Sequence, residues 1–226
     1  MKCFKVEIGK VYPSKNNGYF KVLSKLKNKN KKCGYYLVEF LDTGFIKELR
    51  TDSIKNGVAK DWLRPSRFGV GYIGVGTYAA TFKGKGTKCA IIWKHMLERC
   101  YSPQFQKRSP TYVGCTVTPE WHNFQIFAKW FYENYPKDGK VYELDKDFKV
   151  KNNKVYAPNT CTFLSPYKNK QISHEKFHQF VNPEGVLVEI TNLEQYCKYR
   201  NLTSRNMGKV HRGERPHHKG WTKYVE

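Results

Sequence analysis

Three side chains in the middle of the chain carry oxygens of the kind that bind a hard cation. Asp145 and Asp147 flank Lys146 directly after the apolar Leu144, and Asn169 follows in a polar segment. Mg²⁺ takes oxygen ligands and keeps several of its waters, and in a hydrolase it neutralises charge on the phosphate and the leaving oxygen. We therefore predict a site for Mg²⁺ or Mn²⁺ at Asp145 and Asn169, with Asp147 as a second carboxylate ligand, that supports phosphodiester hydrolysis.

Two short strands and a helix must position these side chains. The first β-prone run contains Leu144 and Asp145, and a polar turn over residues 151–154 follows it. The chain returns through Val155 and Tyr156 into residues 161–164, after which Asn169 lies in a polar segment able to begin a helix. Short β-prone runs about a turn of Asn and Lys are typical of a hairpin, so a strand–strand–helix unit is predicted.

Several motifs occur together between residues 69 and 172. They read Trp93-Lys94-His95-Met96-Leu97-Glu98-Arg99-Cys100-Tyr101, then Cys115, then Leu144-Asp145-Lys146-Asp147, and then Pro158-Asn159-Thr160-Cys161. In combination they resemble the ββα-metal core of HNH nucleases, and most closely that of phage-encoded, free-standing homing endonucleases. The resemblance implies a metal-dependent DNA endonuclease, with Asp145 as the metal-binding Asp and Asn169 at the position of the last ligand.

Two positions differ from the pattern of that family. Lys146 takes the place of the general-base His, and Thr160, beside Asn159, takes the place of the central Asn. A lysine is protonated at neutral pH, so it does not accept a proton from water as an imidazole does. As a catalytic residue Lys146 is therefore predicted to clamp a phosphate or stabilise the transition state, and His122 replaces the base only if it faces Asp145.

The charge of the chain points to a polyanionic partner. Its 226 residues include 41 Lys and Arg against 19 Asp and Glu, which gives a formal net charge of +22. Such an excess, interleaved with aromatic residues, favours nucleic acid, and double-stranded DNA in particular. There is no apolar run long enough to span a membrane and no secretory signal, so a soluble cytoplasmic protein without a membrane partner is expected.

The seven cysteines are predicted to be reduced thiols, because the number is odd and no secretory signal precedes them. Cys100, Cys115 and Cys161 fall within the region of resemblance and form a candidate structural Zn²⁺ site. The sequence has no Cys-x-x-Cys pair, so burial of these thiols in the core is the alternative.

The flanking regions indicate an α+β protein. Strand-like runs at residues 18–23, 35–40 and 45–49, the last two joined by a turn at Asp42-Thr43-Gly44, predict an SH3-like β-barrel over residues 1–66. Glycine-rich residues 69–88 lack the βαβ unit of a dinucleotide site and predict a hairpin instead. Helical spacing predicts a helix at residues 90–101, and Thr118-Pro119 predicts a second one that ends near Asn134.

The C-terminal residues 179–226 predict a helix-turn-helix. Thr191 and Asn192 can cap a helix over residues 193–200, and Ser204 can cap a second helix over residues 205–211. The unit resembles the nuclease-associated modular domains of phage homing endonucleases. Candidate base-reading residues are Arg205 and Asn206, and candidate phosphate contacts are Lys209, Arg212, Arg215 and Lys219. A helical hairpin with a purely structural role is the alternative.

The sequence therefore predicts an N-terminal barrel at 1–66, an HNH-like core at 67–178 and a helix-turn-helix at 179–226. The first functional hypothesis is a phage homing-type DNA endonuclease. The second is a catalytically impaired nuclease fold that regulates or inhibits a host factor by binding DNA or RNA. A third is an RNA-binding accessory factor that uses the N-terminal barrel, and no host protein partner is implied.

Overall fold

The computed structural model describes residues 4–27, 34–150, 152–174 and 178–225. The chain divides into two compact units, one formed by Met1–Gly139 with Leu144–Phe163 and the other by Lys140–Glu143 with Leu164–Glu226. Helices and several small sheets alternate along both, which confirms the α+β class. The predicted division into three domains stays a prediction. No helix in the described ranges is long and apolar enough to cross a lipid bilayer.

An antiparallel sheet opens the first unit. Its strands β1 (Val11–Ser14), β2 (Gly18–Leu26), β3 (Tyr35–Phe40) and β4 (Ile46–Arg50) pair in sequence order, and the short helix α1 (Thr51–Lys55) follows. Alternate residues of β3 are buried, as expected for a strand with one face on the core. Within the described residues the sheet stays open, so the predicted SH3-like barrel is not confirmed.

The turn between β3 and β4 forms where Asp42-Thr43-Gly44 predicted it. Gly44 has a φ of +68°, and its amide donates to the carbonyl of Phe40 at 2.8 Å. A left-handed φ carries no steric cost for glycine, which is why the chain can reverse here. The turn places Phe40 and Phe45 6.1 Å apart between ring centroids in the core beneath the sheet.

A tight hairpin and two helices follow. The hairpin strands are β5 (Thr81–Phe82) and β6 (Lys85–Gly86), and helices α2 (Lys88–Tyr101) and α3 (Pro103–Arg108) come next. The α2 helix begins two residues earlier than predicted because the hydroxyl of Thr87 accepts a hydrogen bond from the amide of Ala90 at 3.3 Å. No helix was predicted at α3, where Ser102 caps the first turn and Pro103 occupies its first position.

The predicted helix start at Thr118-Pro119 is wrong. Pro119–His122 form a 3-10 turn, and the helix α4 runs over Phe124–Asn134. The hydroxyl of Thr118 bonds to the carboxylate of Glu120 instead of a backbone amide. Asn123 supplies the cap, because its side-chain oxygen accepts from the amide of Gln125 at 2.9 Å. Phe124, Phe127 and Phe131 lie on α4 and are buried in the core.

Four short strands surround the predicted strand–strand–helix unit: β7 (Thr116–Val117), β8 (Glu143–Asp145), β9 (Val155–Tyr156) and β10 (Thr162–Leu164). The partner of β8 is β10, whereas β9 pairs in parallel with β7. Val155 and Tyr156, which were predicted to lead back into the second strand of the hairpin, therefore lie in a different sheet from β8. Helix α5 (Pro166–His174) follows β10, as predicted for the segment that contains Asn169.

The rest of the second unit packs two helices on a four-stranded sheet. The strands β11 (His178–Val181), β12 (Leu187–Ile190), β13 (His217–His218) and β14 (Trp221–Lys223) lie in the order β12-β11-β14-β13, with helices α6 (Leu193–Tyr199) and α7 (Ser204–His211) between β12 and β13 in sequence. Phe180, Met207 and Val210 are fully buried in the shared core. Both predicted helices are present, and Asn192 caps α6 through the amide of Gln195. The predicted cap at Ser204 is wrong, because Ser204 is the first residue of α7 and Thr203 precedes it without a side-chain cap. The helix-turn-helix assignment stays a prediction.

Candidate functional site

Asp145 lies at the end of β8 with its carboxylate half engaged. Its Oδ1 accepts hydrogen bonds from the amides of Asp147 at 2.9 Å and Phe148 at 2.7 Å. Two amide donors fix the orientation of the carboxylate. Among the described residues, no hydrogen-bond partner occupies Oδ2 of Asp145. One oxygen therefore remains oriented and open to a cation.

Lys146 is buried, and its ammonium group is fully engaged. Nζ donates to both carboxylate oxygens of Asp147 at 2.7 Å and to the carbonyl of Asn153 at 2.6 Å. An ammonium has three donors, so these three acceptors use all of them. Asn153 closes the turn from the other side, since its Nδ2 donates to the carbonyl of Lys146 at 2.9 Å. In this arrangement Lys146 holds the loop, and Asp147 neutralises its charge.

We predict that Lys146→Met destabilises the first unit. The change removes the partner of the Asp147 carboxylate and of the Asn153 carbonyl, which costs about 1–3 kcal/mol for a loss of this kind. Urea unfolding measures the effect. Lys149→Met is the matched control, because Lys149 lies exposed in the same loop. Normal stability of Lys146→Met together with lost phosphodiester cleavage would show instead that Lys146 acts on the phosphate.

Asn169 and Glu143 both belong to the second unit. Asn169 lies in the first turn of α5, and its Nδ2 donates to Oε2 of Glu143 at 2.7 Å. This bond uses the amide nitrogen, so it directs the nitrogen towards the carboxylate and leaves the amide oxygen as the group that can ligate a cation. The assignment of Asn169 as the last ligand stays a prediction.

Thr160 closes a turn at the position that the family pattern gives to the central Asn. Its hydroxyl donates to the carbonyl of Val155 at 2.8 Å and accepts from the amide of Ala157 at 3.1 Å. The hydroxyl therefore orders this turn locally, because both of its partners lie within five residues.

His122 is held by Tyr101. The two side chains approach to 3.1 Å between the hydroxyl and Nε2, and the same hydroxyl accepts from the amide of Val117 at 3.0 Å. Burial lowers the pKa of His122, which keeps the imidazole neutral near pH 7. No contact between His122 and Asp145 is found in the part of the chain that the structure describes. The condition under which His122 would serve as a base is therefore not met.

The three cysteines of the candidate Zn²⁺ site are buried thiols. Burial raises the pKa of Cys100 to about 12 and that of Cys161 to about 11, and Cys115 is also buried. Zn²⁺ binds thiolates, which burial in apolar surroundings disfavours. The described ranges contain no group of three or more His, Cys, Asp or Glu side chains that could hold a metal. The geometry supports the alternative, in which these cysteines are core residues.

The predicted DNA-binding residues separate into two sets. Arg205, Asn206 and Lys209 lie on α7, and their side chains make no hydrogen bond or ion pair of 4 Å or less with another described residue, although Lys209 lies near enough to Glu214 to lower the pKa of that carboxyl. The remaining three are engaged: Arg212 with Glu214 at 2.7 Å, Arg215 with the carbonyl of His217 at 2.8 Å, and Lys219 with the carbonyl of Asn201 at 2.8 Å. The helix thus presents one cluster of unengaged polar and cationic side chains.

Neither a family model nor a curated protein matches the chain. A solved HNH homing endonuclease structure is similar to it. That structure, described as DNA binding and cleavage by the HNH homing endonuclease I-HmuI, is 14% identical, with the match covering 96% of this chain and 89% of that one. The TM-score is 0.23, which is too low to establish a shared fold.

His218 joins the C-terminal hairpin to the turn between α6 and α7. The side chain is buried on β13, and its Nε2 accepts a hydrogen bond from the amide of Thr203 at 3.1 Å. Burial lowers the pKa of His218, and Arg215, Lys219 and His217 lower it further. Only a neutral imidazole can accept this bond. No spacing in the sequence indicates that His218 bonds to the residue before α7.

We predict that the second unit loses stability as the pH falls below about 6.5, the ordinary pKa of histidine. Because the pKa of His218 is lower in the folded unit, the unfolded chain binds a proton more readily, and acid favours it until the folded-state pKa is reached. Unfolding midpoints between about pH 5 and 8 measure this. His218→Gln keeps an acceptor without titrating, so an equal pH dependence in both proteins would contradict the role of His218.

Proposed function

We propose that the protein is a DNA-binding, metal-dependent endonuclease of the HNH homing type. The observation that carries the proposal is Asp145 at the end of β8, with one carboxylate oxygen fixed by two amides and the other open. In chain order β8 is followed by β9 of another sheet, then by its partner β10 and by α5 with Asn169, so the paired strands and the helix keep the strand–strand–helix order of such a site. The protein would act in the cytoplasm of a bacterial host.

The proposed cation is Mg²⁺ or Mn²⁺, with an oxygen of Asp145 as its carboxylate ligand, and Asn169, which belongs to the second unit, stays a predicted ligand. Bound there, it would neutralise charge on the scissile phosphate and on the leaving oxygen. The open Oδ2 of Asp145 fits such an ion, which accepts one or two carboxylates and keeps waters. Asp147 fits only after it separates from Lys146, because both of its oxygens accept from that ammonium group. Lys146 contributes by holding the loop that orients Asp145.

Double-stranded DNA is the proposed substrate. The net charge of +22 favours a polyanion, and α7 carries Arg205, Asn206 and Lys209, which make no side-chain hydrogen bond to another described residue. Arg and Asn are the side chains that bond two base-edge atoms at once in the major groove, and Lys209 suits a phosphate. Arg212, Arg215 and Lys219 would reach phosphates by exchanging their present acceptors.

The testing experiment is incubation of the purified protein with supercoiled plasmid and Mg²⁺ or Mn²⁺. Conversion to nicked or linear plasmid that EDTA prevents is the expected result. Tight duplex binding without any cleavage, on a plasmid library that covers diverse sequences, would contradict the endonuclease proposal.

A second candidate is a DNA- or RNA-binding regulator without catalysis. The ammonium of Lys146, at the position of the general base, has all three donors occupied, and this observation favours it. In that case the strand–strand–helix unit serves as a scaffold, and α7 provides the binding surface. Binding unaffected by EDTA and an absence of cleavage would distinguish it from the first candidate.

A further inference from the structure

A cleft of about 700 Å³ lies within the first unit, away from Asp145 and from α7 in the sequence. One wall is formed by the turn after β1, at Lys15–Asn17, and by residues 58–62 that follow α1. The other wall is formed by residues 66–67 and the glycine-rich residues 73–81. The proposed endonuclease site uses none of these residues.

Partly buried hydrogen bonds fix both walls. The side-chain amide of Gln125 accepts from the amide of Tyr78 at 2.9 Å and donates to its carbonyl at 3.0 Å. A Cβ on Gly76 would lie 2.3 Å from Oε1 of Gln125, so only glycine allows this close approach. On the opposite wall, Oδ1 of Asn17 accepts from the amide of Asp61 at 3.1 Å. The cleft is therefore preformed.

The charge in the cleft is positive. Lys15, Lys60 and Arg67 line it, and their side chains are exposed, with no ion pair to another described residue. The lining carboxylate, Asp61, is buried and accepts bonds from the hydroxyl of Thr43 at 2.7 Å and the amide of Leu63 at 2.9 Å. Three unengaged cations against one engaged carboxylate suit an anionic ligand with several charges.

Two aromatic side chains share the cleft with these cations. Trp62 is 40% exposed, although its ring stacks on Phe45 at 5.8 Å between centroids and the ammonium of Lys47 lies 4.3 Å from its centroid. A base that stacks on this ring therefore takes the place of the Lys47 ammonium. Tyr78 stacks on Tyr132 at 5.4 Å and 16°. Cations that follow a phosphate backbone beside aromatic rings on which bases stack are the combination that binds single strands. In a duplex the base faces are covered by neighbouring bases, so only an unpaired segment can use both features.

We propose that this cleft binds an unpaired segment of DNA, with Lys60 and Arg67 on the phosphates and a base against Trp62. This site goes beyond the proposed endonuclease activity, since it needs neither a metal ion nor Asp145. It gives the first unit a nucleic-acid contact of its own.

Fluorescence of Trp62 provides a direct test. Trp93, Trp121 and Trp221 are buried, and half-buried Trp130 packs on Trp121 and Phe163 outside the cleft. An oligonucleotide in the cleft should therefore change mainly the emission of Trp62. With oligo(dT) of about 15 nucleotides we expect quenching of the wild type. Lys60→Gln with Arg67→Gln should weaken binding roughly tenfold by anisotropy, and Trp62→Ala by a similar factor. Trp62→Phe keeps a ring and should retain most of the affinity.

Matched controls separate the cleft from the general charge of the protein. Lys21→Gln with Lys129→Gln removes two exposed cations outside the cleft and should change oligo(dT) affinity by less than about twofold. Thermal unfolding confirms that each variant folds. Equal losses of oligo(dT) affinity in the two double variants would overturn the proposal. Oligo(dT) binding that leaves the emission of Trp62 unchanged would also overturn it, where the emission of Trp62 is the part of the signal that Trp62→Phe removes. So would a cleft variant that loses duplex affinity as strongly as oligo(dT) affinity. Plasmid cleavage is measured separately, so failure of one proposal leaves the other intact.

Discussion

Asp145→Asn is expected to reduce metal-dependent plasmid cleavage by about 10²–10³-fold, the range found when one stabilising group is removed from a charged transition state. The amide oxygen of the new Asn can still accept from the amides of Asp147 and Phe148, so the turn after β8 is preserved. What disappears is the negative charge that attracts the cation. Duplex affinity should stay within about twofold, since Asp145 contributes no positive charge.

Two comparisons make this expectation specific. Glu133→Gln removes an exposed carboxylate from α4 and should leave cleavage unchanged. Asp145→Ala loses the turn acceptor as well, so it should reduce both cleavage and stability, whereas Asp145→Asn should reduce cleavage alone. Cleavage by Asp145→Asn at the wild-type rate would exclude Asp145 from the site.

Phe180→Ala should unfold the second unit. Phe180 is fully buried and packs against Trp221 and His211, with centroid distances of 6.3 Å and 5.8 Å. Removing a buried Phe costs about 3–5 kcal/mol, which is comparable to the whole stability of a unit of this size. Loss of α7 then removes Arg205, Asn206 and Lys209 from the DNA. We expect specific duplex affinity to fall to the non-specific level of the remaining basic surface.

Calorimetry and duplex binding at one salt concentration check the result. Tyr199→Ala is the control, since Tyr199 is an aromatic residue of the same unit that is 85% exposed. It should leave both stability and affinity nearly unchanged. Full duplex affinity in a Phe180→Ala protein whose second unit has unfolded would mean that α7 takes no part in binding.

Local signals were enough to predict several elements. The alternation in β3 and the turn at Gly44 involve neighbours in the sequence, and so does the cap of α6 at Asn192. The helix start was predicted wrongly at Thr118 because its hydroxyl can either accept from a helix amide or bond to a nearby carboxylate. In the structure it bonds to the carboxylate of Glu120. The pairing of β9 with β7 joins residues almost forty positions apart, which no local pattern specifies.

The residue types at the candidate site were predictable, but their partners were not. Nothing in the spacing of Asp145, Lys146 and Asp147 indicated that the lysine would bury its ammonium group on Asp147 and Asn153. The cleft was missed for a related reason. Lys15, Trp62 and Tyr78 come from separate segments, and each looks like an ordinary surface residue until the fold brings them together.

The burial of the cysteines makes the protein suited to site-specific labelling. Cys89, Cys100, Cys115, Cys161 and Cys197 are all buried, and burial raises the pKa of Cys89 to about 12. At about pH 8 a thiol with that pKa is thiolate in roughly one molecule in ten thousand, so maleimides react with it very slowly. Cys3 and Cys33 lie outside the described residues and would be replaced by serine. A single exposed cysteine, made by Glu214→Cys just after α7 or by Thr81→Cys at the cleft, would then carry a spin label or dye. Distances from the label to labelled DNA would report on α7 and on the cleft separately.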